Sequence, residues 1–183
     1  MDEKCRCRWC NMKNPAYIEY HDKEWGVREY DERMLFELLI LEGFQAGLSW
    51  ECVLNKRPYF KEEFDNFDVK KVAAYDENKI EMLLQNKNLI RNRRKMDAAV
   101  MNAKIFQEIQ KEYDTFSKYI WHFTDGAVIY EVDKTSSELS DAVSKDLKKR
   151  GMKFVGTTII YSYLQAIGVI NSHDEGCFLH KKG

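Results

Sequence analysis

Apolar residues along this chain recur mainly at helical spacing, and the pattern predicts an all-α protein of roughly eight helices. Asp31 is placed to cap a helix that buries Met34, Leu35, Leu38, Leu39 and Leu41, interrupted at Gly43. A second helix is expected from near Gln45 toward Asn55, ended by Pro58. Asp68 starts a short helix, and Asp76 starts another through Met82, Leu83 and Leu84. Asn88 is read as a left-handed stop. A long helix follows over 91–113, with Met96, Val100, Ala103, Ile105 and Ile109 among its apolar positions. Asp114 reopens a helix through Trp121. Over 124–139 the pattern weakens, and Ala127-Val128-Ile129-Tyr130 reads as a small strand or an extended loop. Ser140 or Asp141 caps the next helix, which stops at Gly151. The last strong helix begins near Thr157 and carries Ile159, Ile160, Tyr163, Leu164 and Ile167; the tail beyond Gly168 reads as irregular.

Composition narrows the class. A length of 183 residues suits a single domain with a substantial core, expected here over 1–183. Hydrophobic residues at 44% and charged residues at 32% are ordinary for a soluble globular chain. No apolar run approaches membrane-spanning length, and the N-terminus lacks an apolar signal core. A cytoplasmic protein without membrane contact is therefore expected. The net charge of -1 gives no overall bias toward nucleic acid. Two basic clusters adjoin helix boundaries: Arg91, Arg93, Arg94 and Lys95, then Lys148, Lys149, Arg150 and Lys153. Taken alone, each reads as a solvated helix face.

Three features carry candidate chemistry. Three of the five cysteines crowd at positions 5, 7 and 10, which in a reducing compartment suggests metal rather than disulfide. Cys7 and His21 near the start, with His173 and Cys177 near the end, complete a tetrahedral zinc site with no position left for water. Such a site clasps the termini together; a zinc hydrolase, the rival reading, needs an open position. Over 147–158 a helix, a hairpin bounded by Gly151 and Gly156, and a second helix follow one another. The first amides of the second helix, its dipole and Lys153 suit a DNA phosphate. An ordinary helix–helix turn would read the same way. Over 41–50, Glu42 and Trp50 flank a glycine-rich break, and Tyr17, Tyr20 and Trp25 precede it. Aromatic rings around a carboxylate form a receptor for a flat cation. The same aromatics could instead pack a core, with Glu42 in solvent.

Six ordered motifs together resemble the 3-methyladenine DNA glycosylase I family, an outlying branch of the helix-hairpin-helix glycosylases. They are Cys7-Arg8-Trp9, YIEYHDKEWGV at 17–27, LEGFQAGLSW at 41–50, LIRNRRK at 89–95, LKKRGMKFVGTT at 147–158 and INSHDEGC at 170–177. The resemblance implies a helix-hairpin-helix glycosylase fold with one structural zinc ion tying the termini. Its ligands would be Cys7, His21, His173 and Cys177. Cys7 is preferred because it stands two residues before Trp9; Cys10 is the first substitute, and His180 a rival at the other end. Glu42 would be the catalytic acidic group. Tyr17, Tyr20 and Trp50 would hold the base, with Trp9 and Trp25 close by. Gly47 and Leu48 would probe the gap left by an extruded nucleotide, and Gly151, Lys153 and Gly156 would grip the backbone.

The implied substrate is double-stranded alkylated DNA, the product free 3-methyladenine, and the enzyme a monomer. The reaction would be monofunctional hydrolysis without strand cleavage, since the pocket motifs show no lysine nucleophile. A non-catalytic lesion-binding protein is the alternative. Two departures stand out: Phe44 where some relatives carry Gln, and Asn171 where the wider superfamily places a catalytic Asp.

Overall fold

The computed structural model describes residues 4–181; residues 1–3 and 182–183 of the expected 1–183 domain lie outside it. The described chain is mostly helical. In order it contains α1 (Pro15–Lys23), α2 (Glu32–Gln45), α3 (Trp50–Glu63), α4 (Val69–Ala73), α5 (Glu77–Gln85) and α6 (Arg93–Tyr113). Then come α7 (Phe116–His122), β1 (Ile129–Tyr130), α8 (Glu138–Lys149), α9 (Thr157–Ala166) and β2 (Ile170–Asn171), with a 3-10 turn at Asp65–Phe67 after α3.

Helix α2 is the axis of the molecule. Asp31 caps it by accepting from the Met34 amide at 2.9 Å, as the sequence suggests. All ten residues from Leu35 to Phe44 are buried, so the helix is enclosed rather than amphipathic. It packs against α3, α6, α7 and α9. Tyr163 of α9 donates to the Leu35 carbonyl at 3.0 Å inside this core. Glu42 belongs to the enclosed stretch, which makes its burial a consequence of the fold's central helix.

Several boundaries differ from the expectations. Gly43 does not interrupt α2: one helical glycine costs about 1 kcal/mol, and packing on all sides outweighs it. The next helix begins at Trp50, because Ser49 caps it by accepting from the Cys52 amide at 3.2 Å. Pro58 sits inside α3 without ending it, on the exposed face, with Val53, Leu54 and Phe60 buried on the other. Asn88 is not left-handed; α5 closes at Asn86, whose side chain accepts from the Asn88 amide at 2.9 Å. Asp114 ends α6 at φ 69 instead of opening α7, which Thr115 caps. Ser137, reciprocally bonded with Ser140, caps α8. Helix α1 went unread, although Asn14 followed by Pro15 is an N-terminal signal: the Asn14 side chain accepts from the Ala16 amide.

The weak stretch resolves as a strand. Ile129 and Tyr130 pair in parallel with Ile170 and Asn171. This two-rung ladder pins the segment before α8 to the tail, which is thereby more ordered than the pattern suggested.

Candidate active site

A cavity of about 560 Å³ opens where α1, the C-terminal half of α2, the start of α3 and α9 meet. Trp9, Tyr20, Trp25 and Trp50 supply aromatic wall, and Glu42 the carboxyl. The Tyr20 and Trp50 rings lie 5.2 Å apart, tilted by 46°, and Trp9 meets Trp25 edge-on at 4.7 Å. Glu42 is only 3% exposed, and its Oε2 has no hydrogen-bond partner among the described residues. The Trp50 Nε1 is buried and equally unpartnered. Burial pushes the Glu42 carboxyl up to about 8, because water is withdrawn from the charged form. The wall thus offers one unmet acceptor and one unmet donor between aromatic rings.

Two pocket expectations change. Tyr17 does not line the cavity; it is buried with its ring 5.5 Å from Trp9. Phe44 also points elsewhere, into a cluster with Phe60 and Phe64 at 4.7 and 6.1 Å. The cavity side chain there is Gln45, the next residue round the helix. The Gln-to-Phe departure is therefore a core exchange with no lost contact to a cavity ligand.

The opposite wall was missed by sequence reasoning. Arg8, Asp133, Lys134, Ser172 and Asp174 face the cavity from three separated segments. Arg8 joins them: its guanidinium reaches Asp133 at 3.0 Å and Asp174 at 3.4 Å, and its amide donates to Asp174 at 2.7 Å. No local spacing announces such a wall. Lys134, which lies outside the pocket motifs, also lines the cavity, with its amine 2.5 Å from Glu131 Oε2.

Beside the cavity the termini meet. The Sγ atoms of Cys7 and Cys177 and a ring nitrogen of His21 all lie within 4.8 Å of one another, and all three residues are buried. His21 Nδ1 lies 2.8 Å from Asp22 Oδ1, so it donates there and leaves the Nε2 lone pair facing Cys177 Sγ at 3.5 Å. Asp22 is itself clamped by Arg6 at 2.7 and 2.6 Å, which holds its carboxyl low, at about 2. His173 stands outside the compact trio, its ring 5.4 Å from that of His21. Its Nδ1 lies 3.1 Å from the Asn171 side-chain oxygen Oδ1, and its buried Nε2 has no partner among the described residues. Asn171 is thus a strut for His173.

Gly26 makes room for that ring: at φ 76, a Cβ there would lie 2.7 Å from His173 Cε1. Amides of Asp174 and Leu179 point at Cys7 and Cys177 Sγ from 3.4 and 3.5 Å. Two sulfurs receiving amides, the unpartnered His173 Nε2 and the His21 Nε2, which accepts only a long bond from the Cys7 amide at 3.3 Å, fit a tetrahedral soft-metal site. Cys10 and Cys5 lie outside the group; Cys10 Sγ contacts the Tyr17 carbonyl at 3.8 Å, and Cys5 is exposed. His180 instead approaches the His173 carbonyl at 2.8 Å through Nδ1.

The 151–156 hairpin is braced from within. Asn102 of α6 donates to the Lys153 carbonyl and accepts from its amide, both at 2.9 Å. Gly151 turns the chain at φ 102, a conformation that disfavours any side chain. Gly156 precedes α9, and no side chain caps that helix among the described residues, so its first amides remain open. Lys153 is exposed beside them, with Lys148 and Lys149 on the preceding helix. The rest of the basic clusters is largely consumed: Arg93 pairs with Glu77, Glu81 and Asp97, and Arg150 with Asp146 and Glu112. Lys95 is buried and closes the α2 terminus by donating to the Phe44 and Ala46 carbonyls at 2.8 and 2.6 Å. It anchors the start of the loop bearing Gly47 and the exposed Leu48.

Known proteins resemble the chain over nearly its whole length. The Methyladenine glycosylase family model matches residues 9–180. DNA-3-methyladenine glycosylase 1 of Escherichia coli (strain K12) is 46% identical over 179 residues, spanning 94% of this chain and 95% of that protein. A crystal structure of 3-methyladenine DNA glycosylase I superposes with a TM-score of 0.92 at 46% identity, covering 97% of this chain and all of the other. The Staphylococcus aureus 3-methyladenine DNA glycosylase I, solved to explain 3-methyladenine recognition, gives 0.89 at 34% identity over 93% and 94% of the two chains. With nearly its whole length matched in sequence and in fold, the chain belongs to the methyladenine glycosylase family.

Proposed function

We propose that the protein excises 3-methyladenine from alkylated duplex DNA by hydrolysing the N-glycosidic bond, leaving an abasic site and an uncut strand. One observation carries this reading: a fully buried carboxyl with an unpartnered oxygen, set among aromatic rings in an open cavity. Such a carboxyl is costly to ionise in the free protein, which is why its proton is retained up to about pH 8. A cationic flat base is the ligand that makes its charged form favourable. N3-methylation gives adenine that charge; neutral adenine brings none.

The damaged nucleotide is flipped out of the duplex into the cavity. Tyr20 and Trp50 cover the ring, Glu42 accepts from the exocyclic amine, and Trp50 Nε1 offers the complementary donor. Departure of the base neutralises it, so the leaving group is already activated and the strong acid catalysis needed for an intact purine is unnecessary. Leu48 enters the gap in the helix, and the open amides of α9 with Lys153 hold the phosphate backbone in the manner of a helix-hairpin-helix element.

Cys7, His21, His173 and Cys177 hold one structural zinc ion, which supplies a rigid link between the termini and no open coordination position. The rings of Trp9 and Trp25 lie 5.2 and 6.4 Å from that of His21, so a metal held there would brace this side of the cavity and supply no chemistry to the reaction. The protein works as a cytoplasmic monomer.

Release of free 3-methyladenine from methylated duplex DNA tests the reading and separates it from lesion binding alone. Glu42→Gln is expected to lower that release about 100-fold; wild-type release by this variant removes Glu42 from the mechanism. Borohydride added during turnover should trap no enzyme–DNA adduct, and a trapped adduct would contradict the monofunctional assignment.

A further inference from the structure

Helix α6 carries a buried lysine that the excision chemistry does not use. Lys95 lies in its first turn, away from the cavity wall, and no carboxylate pairs with it among the described residues. Its ammonium is held by carbonyls alone: Phe44 accepts at 2.8 Å and Ala46 at 2.6 Å. Burying a cation is costly, and a methionine of similar volume would fill the same space without that cost. A charge kept at the negative end of α2 answers the need of its last carbonyls for a donor.

Those carbonyls begin the loop over 46–49 that joins α2 to α3. Between the two Lys95 contacts, the Gln45 carbonyl accepts from the Leu48 amide at 2.6 Å, so three successive carbonyls are occupied. At the far end Ser49 caps α3. Gly47 turns the chain at φ 80, and a Cβ there would meet open space, so conformation rather than crowding calls for the glycine. Leu48 is left exposed on a short loop that is tied at both ends.

The same helix braces the other candidate DNA contact. Asn102 follows Lys95 on the same side of α6, two turns or about 10 Å further along. It bonds both backbone groups of Lys153 in the 151–156 hairpin. Phe154 of that hairpin fills the space between, with the Lys95 Nζ 6.0 Å from its ring centroid. Gly43, Lys95, Asn102 and Phe154 line one narrow crevice. The loop, the hairpin and the helix bearing Glu42 are therefore held by one strut.

We propose that Lys95 is a positioning residue for excision, which presets the Gly47–Leu48 loop so that Leu48 enters the duplex without first being ordered. This rests on the excision reading above and says how opening of the duplex is joined to the base receptor. Extruding a nucleotide costs unstacking and unpairing energy. A loop that had to be ordered at the same moment would add its own conformational entropy to that cost. Lys95 removes the second cost. By gripping Phe44, two residues beyond Glu42, it also keeps the leucine at a fixed distance from the carboxyl that receives the base.

Single-turnover release of 3-methyladenine from methylated duplex DNA, at saturating protein, reads the effect. Lys95→Met should slow release roughly 10- to 100-fold, the scale of a misplaced contact, and should bind free 3-methyladenine as the wild type does. In a Leu48→Ala background the same substitution should change the rate by less than about twofold, because its effect passes through the leucine. A general loss of structure would instead weaken binding of the free base and slow release by the same factor in both backgrounds. Wild-type release by folded Lys95→Met overturns the proposal, as does an equal factor in the two backgrounds or a parallel loss of free-base binding. If Lys95→Met fails to fold, hydrogen exchange of the Leu48 amide in the wild-type protein decides. Protection before DNA is added is expected, and exchange at the rate of an unstructured peptide overturns the preset loop. A wild-type protein that releases no 3-methyladenine overturns the excision reading itself; normal wild-type release with any of the failures above overturns only the role of Lys95.

Discussion

The cavity and the cysteine–histidine group lie side by side, and both contain buried polar atoms with no hydrogen-bond partner among the described residues. Glu42 Oε2 and Trp50 Nε1 are unmet in one, and His173 Nε2 in the other. They differ in access and in surroundings. The cavity opens to solvent and its unmet atoms sit among aromatic faces. The terminal group is enclosed, with Cys7, His21, His173 and Cys177 all under a tenth exposed, and is reinforced by Asp22 and Arg6 behind His21. An open site with unmet polarity suits a ligand that comes and goes. A closed one suits an ion that stays. Similar unsatisfied chemistry would thus serve turnover in one place and architecture in the other under the proposed function.

The largest effect should come from breaking the enclosed group. Chelation of zinc, or Cys177→Ser, should lower the thermal midpoint by about 10 °C, the shift expected for a loss of roughly 4 kcal/mol in a chain of this size. Metal analysis and melting curves check this; a metal-free wild-type protein with an unchanged midpoint would remove the clasp.

The cavity should respond oppositely to loss of its polar group. Glu42 titrates near 8 when folded against an ordinary 4.5, so the folded state holds the proton more tightly. Its contribution to stability is full below about 4.5 and is lost as pH rises through 8. Glu42→Gln cannot ionise, so its stability advantage over the wild type should grow from pH 5 to pH 9, by at most about 4 kcal/mol. Denaturation midpoints at the two pH values measure it, and a pH-independent difference would show Glu42 to be solvated. A variant that is more stable yet slower in excision would mark the cavity as a site where function is kept at the expense of stability.

The smallest effect lies outside both regions. Lys153→Ala should weaken DNA binding uniformly across sequences and make the salt dependence shallower by about one unit of logarithmic slope. An unchanged slope would move the phosphate contact away from the hairpin.

Much of this molecule could be read from residue order. The Asp31, Asp68 and Asp76 caps and the start of α9 at Thr157 follow from short-range chemistry, and the structure carries all of them. The run at 41–50 puts Glu42 and Trp50 on either side of one glycine-rich break, a spacing that suits a receptor and a packed core alike. Errors fell where distant packing overrode local propensity: Gly43 and Pro58 inside helices, Lys95 buried instead of solvated, and Phe44 turned into the core.

Sequence alone, then, determined the helical class, the caps, and the kinds of side chain available for a base and for a metal. It did so because capping and periodicity act over three or four residues. Tertiary structure decided which of those side chains share a space. It brought Cys7, not Cys5 or Cys10, against His21 and Cys177, left Tyr17 off the cavity wall, and set Arg8 against Asp133 and Asp174. Those outcomes depend on a parallel strand pair and on a helix buried from all sides, and both are settled by contacts between segments tens of residues apart.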